Sequence, residues 1–391
     1  MIKNLCIITN KYPNQYEPNV LVFVQQLVWQ FARQGVSCTV IAPVQANRNP
    51  KFLSMATEEL EQTDTGETIR VLRPKYVTLG QSPICGYNPA KISTRLFEKC
   101  VERTIKKCGT KFDALYSHFV TPAGIATARL GRKLGIPAFM AHGEATTKTI
   151  DAFGGPVRVG KELCSLSGVV AVSHHNRLML SDPGIVADKN IQVFPNGYNP
   201  LRFGRSDRAA ARAHFGFPKD AFIVGFVGSF DDRKGILWVQ EAADRLGVKF
   251  ACAGKGALNP TSENCIHAKP VMHDDLVLFY NACDVFALPT RMEGCCNAIV
   301  EAVACGLPVV SSDRLFNRDI LDATNALLIE PDDVDALTEA IRILRDDAAL
   351  REKLAAGSLE MAKKLTLQRR GENILRFLNE CAGQYGKKDL E

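Results

Sequence analysis

The sequence predicts an α/β protein built from two doubly wound units, each with a parallel β-sheet covered by helices. Short β-branched runs alternate with helical stretches, which is typical of parallel strands joined by helical crossovers. The alternation restarts after a turn-rich stretch at 190–200. A chain of 391 residues is also longer than one hydrophobic core usually accommodates, so two domains are expected.

The first domain is predicted over residues 1–195, with strands at NLCIIT, VSCTVIAP, FDALYSH, IPAFMAH and VVAVS. The second is predicted over residues 196–370, with strands at AFIVGFVG, VKFACAG, DVFALP and LPVVSS. We expect the amphipathic segment 371–391 to form a helix that crosses back to the first domain. Ligands of such sheets bind outside the carboxyl ends of the strands, so we expect a cleft between two facing sheets.

Composition indicates an ordinary globular protein, with 46% hydrophobic and 23% charged residues. No apolar run reaches the roughly 18 residues that span a bilayer, and the amino terminus lacks the pattern of a signal peptide. The 13 cysteines include no CxxC pair, which favours reduced thiols in the cytoplasm over disulfides or a metal site. We interpret the adjacent Cys295 and Cys296 as packing residues rather than a redox pair.

Charge is uneven along the chain. Residues 1–190 carry 23 Lys and Arg against 14 Asp and Glu, a net +9, and the remaining residues carry 25 against 28, a net −3. Five cations fall on one stripe of a predicted helix: Lys91, Arg95, Lys99, Arg103 and Lys107. This basic stripe suits an anionic membrane surface, so a peripheral position on the inner face of the cell membrane is one hypothesis. The alternative is a solvated face paired with the neighbouring Glu98 and Glu102. No nucleic-acid partner is predicted.

Two carboxylates stand out in the otherwise small and apolar run RMEGCCNAIVEAVACGLPVV, at 291–310. Glu293 is expected on the loop after a buried strand, and Glu301 about one turn into a helix whose N-cap is predicted to be Asn297. The amides of residues 294–297 would lie at a positive helix end, so a hydroxyl-rich ligand such as a sugar and a ribose fits. The alternative is a capping acid plus a helix acid paired with a neighbouring base.

Several segments resemble one enzyme family. The run EGCCNAIVEAVACGLPVV resembles the Glu-x7-Glu segment of retaining family-4 glycosyltransferases of the GT-B fold. FVGSFDDRKG is similar to the phosphate loop of that family, and FPNGYNPLRF to its interdomain crossing. The stretches 12–43 and 118–143 also resemble its first domain, in the branch that works on surface polysaccharides. The resemblance covers most of the chain.

The resemblance implies a nucleotide diphosphate sugar, UDP- or GDP-linked, as donor, with no cofactor and no metal. Glu293 would hold the donor sugar, Glu301 the ribose, and Lys234 the diphosphate, which a cation beside a strand-to-helix turn also suits physically. Ser229 stands where the family usually has Arg, and we expect Arg233 to compensate. The other donor-binding positions are Gly228, Gly294, Cys295, Cys296 and Asn297.

The resemblance places the acceptor, a glycan or lipid-linked sugar, on the first domain. His118 and His142 each end a predicted strand, where ligand-facing residues are common, and His118 is expected to be catalytic. The Gly-Gly of the family is absent from the first loop, where Pro18, Asn19 and Val20 stand, and Asn19 is an acceptor-side candidate.

Other patterns are less specific. The sequence Asp333-Val334-Asp335 is interpreted as helix capping rather than a metal motif. Gly254-Lys255-Gly256 is a lone GxG, too weak to establish a dinucleotide site, and the absence of GxGxxG after the first strand of either half disfavours a dehydrogenase. Two alternative functions remain: an inactive sugar-nucleotide-binding scaffold, which Ser229 favours, and a GT-B epimerase or phosphorylase.

Overall fold

The structure is a computed structural model that describes residues 1–80 and 88–385. It divides into two compact units. The first contains the described residues of Met1–Phe194 and Gly371–Glu391, and the second is Pro195–Arg370. Both are α/β, as predicted.

The first unit consists of strands separated by helices along most of its length. Its strands are β1 Asn4–Ile8, β2 Ser37–Ile41, β3 Val44–Gln45, β4 Glu58–Gln62, β5 Thr68–Leu72, β6 Lys75–Tyr76, β7 Ala114–His118, β8 Ala138–His142, β9 Gly168–Ala171 and β10 Ile191–Val193. Its helices are α1 Val22–Arg33, α2 Ala90–Cys108, α3 Ile125–Leu134, α4 Lys148–Phe153, α5 Pro156–Leu163 and α6 His174–Ser181.

The main sheet of the first unit has the strand order β10-β9-β8-β7-β1-β2-β5-β4. All neighbours run parallel except the edge strand β4, which pairs antiparallel with β5. The sequence analysis assigned no strand at β4, β5 or β10, and in β4 the EELEQ run is mostly exposed and polar. The order reverses around β1, which lies between β2 and β7, so loops leaving this centre of the sheet are placed to bind a ligand.

Both faces of this sheet are covered by apolar side chains, as a parallel sheet requires. One core packs α2 and α3 residues such as Phe97 and Leu130 against the sheet, and the other packs Phe31 of α1 against it. The helix α13 Leu367–Gln384 begins in the second unit. Its residues Ile374, Leu375 and Leu378 lie in the first unit, where they complete the core on the α1 side of the sheet.

The second unit contains strands β11 Ile223–Val227, β12 Lys249–Ala253, β13 Cys265–Lys269, β14 Val285–Leu288, β15 Val309–Ser312 and β16 Ala326–Ile329. Its helices are α7 Arg208–Phe215, α8 Ile236–Leu246, α9 Leu276–Ala282, α10 Asn297–Ala304, α11 Val334–Asp346 and α12 Ala348–Ala362. The strands form one parallel sheet in the order β13-β12-β11-β14-β15-β16. This is the doubly wound order, and its reversal lies between β11 and β14.

No described helix is both long and apolar enough to span a bilayer. The structure shows no disulfide among the described cysteines, and Cys85 lies outside the described residues. The Asp333 side chain accepts a hydrogen bond from the Ala336 amide at 2.8 Å, which confirms helix capping at this position.

A buried carboxylate anchors the amino-terminal edge of the second sheet. Asp284 accepts hydrogen bonds from the Ile223 amide at 2.7 Å, from Arg212 at 2.7 Å and from Arg208 at 2.6 Å. The Asp284 and Arg212 side chains are 9% and 5% exposed, so each depends on the other for charge compensation.

We predict that Asp284→Ala lowers the free energy of unfolding by roughly 3–5 kcal/mol, because Arg212 would be left as an unpaired buried charge. Denaturant unfolding followed by circular dichroism measures this. The control is Glu330→Ala, which breaks an exposed pair with Arg314 and should leave the unfolding midpoint nearly unchanged. Equal effects of the two substitutions would contradict the prediction.

Candidate active site

The reversal of strand order in the second unit brings two loops together. The loop 228–235 leaves the carboxyl end of β11, and the loop 289–296 leaves that of the adjacent β14. Their backbones are joined by the Arg291 amide, which donates to the Arg233 carbonyl at 2.9 Å. Thr290 Oγ1 also donates to that carbonyl at 3.2 Å. The sequence analysis treated these two loops as separate motifs, and in the fold they are joined by hydrogen bonds.

The first loop holds its shape through Asp231. Its Oδ1 accepts from the Lys234 amide at 3.0 Å and its Oδ2 from Ser229 Oγ at 2.6 Å. Gly235, at φ 74°, then turns the chain into α8 in a left-handed conformation that glycine adopts without strain. Ser229 thus has a structural partner within the loop.

The GxG sequence packs against this loop. A Cβ on Gly254 would lie 1.9 Å from the Gly228 carbonyl oxygen, so only glycine fits there. Phe230 donates its amide to the Lys255 carbonyl at 3.0 Å, and the Gly228 amide bonds to Ala253 at 3.1 Å. Gly254 and Gly256 therefore support the 228–230 backbone, a role that the sequence analysis missed because the contact joins two different strands.

A compact charged cluster lies where the two loops meet. Lys234 Nζ is 2.6 Å from Glu293 Oε1, and the Arg233 guanidinium contacts the same carboxylate. Arg233 also donates to the Met292 carbonyl at 2.8 Å. The structure thus brings together Lys234, Arg233 and Glu293, three of the predicted site residues, and Asp231 Oδ2 lies 3.8 Å from the Arg233 guanidinium.

The Lys234 ammonium stays charged although its side chain is only 10% exposed. Burial by itself lowers the pKa of Lys234, but the negative charge beside it, that of the Glu293 carboxylate, outweighs burial, so the pKa is raised above its usual value. Burial raises the pKa of Cys296 itself, which keeps this thiol neutral. A fixed cation in a poorly hydrated place is suited to bind a phosphate group.

The amino-terminal end of α10 provides free amides beside this cluster. The amides of residues 294–297 donate to no described residue, and they lie at the positive end of the helix. The prediction that Asn297 is the N-cap is wrong: Cys296 occupies that position and Asn297 is the first helical residue. The Asn297 Oδ1 instead accepts from Asn196 at 2.8 Å, which draws its side chain away from the helix amides.

Asn196 was not predicted as a site residue. Its amide contacts Cys295 Sγ at 3.3 Å and its side chain donates to the Cys295 carbonyl at 3.1 Å. Cys295 and Gly294 are buried, and burial raises the pKa of Cys295 to about 12. Cys295 and Cys296 are therefore packing residues in this loop, and Asn196 fixes the loop from a distant part of the chain.

Glu301 lies one turn into α10 and accepts a hydrogen bond from Tyr280 at 2.9 Å. Burial raises its pKa to about 7, although the Tyr280 hydrogen bond acts in the opposite direction. No basic side chain pairs with Glu301 among the described residues, in contrast to the alternative of a structural ion pair. A carboxylate that burial makes this basic is a strong hydrogen-bond acceptor for ligand hydroxyl groups.

In the first unit, His118 ends β7 and His142 ends β8, as predicted. His118 is 4% exposed and packs edge-on against the rings of Tyr116 and Phe23. His142 is fully buried, with its Nδ1 2.5 Å from Glu144. Asn19 is an exposed turn residue.

Glu144 is a further residue that the sequence analysis missed. It accepts the Val120 amide at 2.8 Å in addition to its contact with His142. Burial by itself raises the pKa of Glu144, but His142 and the Val120 amide outweigh it and lower the pKa. Glu144 thereby orients His142 and the chain that follows His118.

Among the described residues, no group of three or more His, Cys, Asp or Glu side chains is placed to hold a metal ion.

Comparisons with known proteins identify relatives of this chain. Residues 221–347 match the family model described as Glycosyl transferases group 1. The chain is 26% identical to the putative teichuronic acid biosynthesis glycosyltransferase TuaC of Bacillus subtilis, over 85% of this chain and 87% of that protein. It is also 26% identical to a D-inositol 3-phosphate glycosyltransferase of Stackebrandtia nassauensis, over 90% of this chain and 85% of that protein.

Solved structures show the same fold. Sucrose-phosphate synthase from Thermosynechococcus elongatus superposes with a TM-score of 0.73 at 17% identity, over 97% of this chain and 98% of that one. Anabaena HepE in complex with UDP-glucose gives 0.70 at 15% identity, over 97% and 100%. The predicted GT-B fold and the resemblance to glycosyltransferases are both confirmed.

The raised pKa of Glu301 predicts a pH-dependent stability. Below its ordinary value of 4.5 the carboxyl is protonated in both the folded and the unfolded states. As pH rises towards 7, only the unfolded state loses the proton, so the free energy of unfolding should fall by up to ~3 kcal/mol and then level off. Urea unfolding at pH 5 and pH 8 measures this change.

The matched control is Glu301→Gln, which keeps an acceptor for Tyr280 but cannot titrate. The difference between the two pH values should be smaller in this variant than in the parent. If both proteins respond equally to pH, Glu301 has an ordinary pKa.

Proposed function

Because the second unit carries a glycosyl transferases group 1 domain, we propose that this glycosyltransferase moves a hexose-type sugar from a nucleotide diphosphate donor to a glycan or lipid-linked acceptor, with retention at the anomeric carbon. The observation that carries the proposal is the cluster of Lys234, Arg233 and Glu293 beside the free amides of α10. It combines cations for a diphosphate with a carboxylate for sugar hydroxyls.

Each group has a distinct role in the proposed donor complex. Lys234 and the loop amides bind the diphosphate, and Arg233 supplies the second cation in place of the Arg that the family usually has at position 229. The diphosphate displaces the two cations from Glu293, which frees this carboxylate for the sugar. Glu301 accepts hydrogen bonds from the ribose.

In the proposed reaction the acceptor hydroxyl attacks the anomeric carbon from the side on which the phosphate leaves. The carbon–oxygen bond to the diphosphate breaks, the leaving phosphate oxygen takes the hydroxyl proton, and a glycoside and a nucleoside diphosphate result. Negative charge grows on the diphosphate during this step, so Lys234 stabilises the transition state more than the ground state. His118 lies on the acceptor side.

UDP is the favoured nucleotide, because HepE, a structure of the same fold, binds UDP-glucose. A scaffold that binds a sugar nucleotide without turnover is the second candidate, favoured by Ser229, whose hydroxyl is occupied by Asp231.

The function is tested first by thermal shift against UDP-, GDP- and ADP-sugars, since a bound donor raises the melting temperature. The donor that binds should then release nucleoside diphosphate, and the anomeric configuration of the product, read by NMR, should match that of the donor. We predict that Lys234→Ala lowers kcat/KM by ~100-fold or more. The matched control is Lys255→Ala, an exposed lysine on the supporting GxG segment.

Donor binding without release of nucleoside diphosphate would instead support the scaffold. Release that requires free phosphate, or conversion of the donor into its epimer, would support a phosphorylase or an epimerase.

We further propose that the basic stripe of α2 docks the enzyme on the cytoplasmic face of an anionic membrane. The five stripe cations, which are Lys91, Arg95, Lys99, Arg103 and Lys107, form no ion pair with a described residue. Glu98 instead pairs with Arg129 at 2.7 Å, and Glu102 with Lys106 and Lys133 at 2.7 and 2.8 Å. The neighbouring carboxylates are thus directed to other partners, which leaves the stripe available to an anionic surface.

Apolar side chains accompany the stripe. Ile92 of α2 is 39% exposed, and Val77, 54% exposed, lines a cavity of about 790 Å³ together with Lys99 and Arg103. Leu79, also exposed, is joined to α2 by its amide hydrogen bond to Ser93 at 3.1 Å. Exposed apolar groups beside unpaired cations are suited to the interface of an anionic bilayer. The described cysteines form no disulfide, which is consistent with a reducing compartment.

We predict that the protein co-sediments with phosphatidylserine-containing vesicles at low salt and is released as ionic strength rises, because screening shortens the reach of exposed charges to ~8 Å at physiological salt. Replacing the five stripe cations with Gln should abolish sedimentation and leave turnover of a soluble acceptor nearly intact. A control variant replaces five exposed lysines outside the stripe with Gln: Lys189, Lys219, Lys353, Lys363 and Lys364.

The control variant has the same change in net charge, so it separates the effect of the stripe on sedimentation from the effect of overall charge. Equal sedimentation of the two variants would make α2 an ordinary solvated face.

A further inference from the structure

A small cavity lies at the carboxyl-terminal edge of the first sheet, where its strand order reverses. Its volume is about 230 Å³, below the roughly 300–1,000 Å³ of sites for drug-sized ligands, so it fits a terminal group rather than a long chain. Residues that follow β1, β2 and β5 line it, among them Asn10, Arg48 and Arg73. None of these residues is assigned a role in the proposed function.

The side-chain oxygen of Asn10 is a hydrogen-bond acceptor that lacks a donor among the described residues. Its Nδ2 donates to the Thr121 carbonyl at 3.1 Å, which fixes the amide across the loops after β1 and β7. Its Oδ1 is buried and accepts no hydrogen bond from any described residue. A buried polar atom in this state is costly, and a ligand hydroxyl would satisfy it.

The cations in the cavity differ in their partners. Arg73 is buried and donates to the Pro13 carbonyl at 2.6 Å, so it holds the loop that forms the rim. Lys11 is 3.1 Å from Glu17, which also lines the cavity and partly neutralises it. The exposed Arg48 forms no side-chain hydrogen bond or ion pair with a described residue. Arg48 is therefore the cation most available to a ligand.

A ligand matched to these groups needs a hydroxyl for Asn10 and an anion for Arg48. We infer that this cavity binds an acidic sugar, carrying a carboxylate or a phosphate, at the end of the acceptor. The inference rests on the proposed function in one respect, namely that the ligand is the sugar acceptor of the glycosyltransferase. Phe52, which lines the same cavity, offers an apolar surface to the sugar ring.

The groups also argue against a neutral sugar. A neutral ring would satisfy Asn10 Oδ1 through a hydroxyl, but it would leave the surplus of positive charge in the cavity unmatched. A bidentate guanidinium contact with a carboxylate or phosphate is one of the stronger polar interactions available to a protein.

The first experiment measures binding by saturation-transfer NMR, with three probes: methyl β-D-glucuronide, glucose 6-phosphate and methyl β-D-glucoside. We expect at least one acidic probe to bind about 10-fold or more tightly than the neutral glucoside. The probe that does so tells whether a carboxylate or a phosphate is recognised. In Arg48→Gln this preference should disappear.

The matched control is Lys51→Gln, which makes the same change of charge three residues away, on an exposed lysine outside the cavity. It should keep the preference for the acidic probe. An unchanged preference in Arg48→Gln, equal binding of the acidic and neutral probes, or no binding of any probe would each overturn the inference.

A second measurement separates this inference from the proposed function. Release of nucleoside diphosphate from the donor in water, without an acceptor, reports on the second unit alone and should be the same in Arg48→Gln and in the parent. With acceptor present, the variant should show a raised KM for the acidic sugar and an unchanged kcat. If an acidic probe binds but the nucleotide-sugar donor is not turned over, the proposed function is overturned. The inference that the cavity binds an acidic sugar then still stands.

Discussion

The reversal of strand order between β11 and β14 is the constraint on which the candidate active site depends. In a doubly wound sheet, the loops on either side of the reversal leave in a way that opens a crevice at the carboxyl edge. Here these loops carry Lys234 and Glu293, and the 2.6 Å contact between them joins the loops across the crevice. Asp284 fixes the opposite edge of the same strands, so the site is built on a rigid part of the sheet.

Burial then decides the chemistry of the side chains in this crevice. Lys234 remains charged because Glu293 lies beside it, whereas Glu301, with no cation in contact, has its pKa raised to about 7. Two carboxylates eight positions apart thus differ in character, one committed to an ion pair and the other poised to accept hydrogen bonds. The helix end of α10 adds amides without adding a titratable group.

The first unit separates its charges in a similar way. On α2, Glu98 and Glu102 pair with cations of α3 and of α2 itself, while the basic stripe has no described partners. At the edge of the sheet, Arg73 and Asn10 hold the loops that surround the small cavity, and Arg48 is left for a ligand. A cation with a structural role has a carbonyl or carboxylate partner within the protein, and a cation available for binding has none among the described residues. Composition does not reveal this difference, because it depends on which groups the fold brings together.

The sequence by itself determined the α/β class, most of the buried parallel strands and the resemblance to GT-B glycosyltransferases, because periodicity and the Glu-x7-Glu run are local in the chain. Only the tertiary structure decided the pairing of Lys234 with Glu293, the packing of Gly254 on Gly228 and the place of Asn196, whose partner is 99 residues away. Only the structure showed the polar edge strand β4, which lacks the pattern of a buried strand, and only the structure showed that Cys296 is the N-cap of α10. The physical reason is that burial, charge compensation and hydrogen-bond partners depend on distances between remote segments, and those distances exist only in the folded chain.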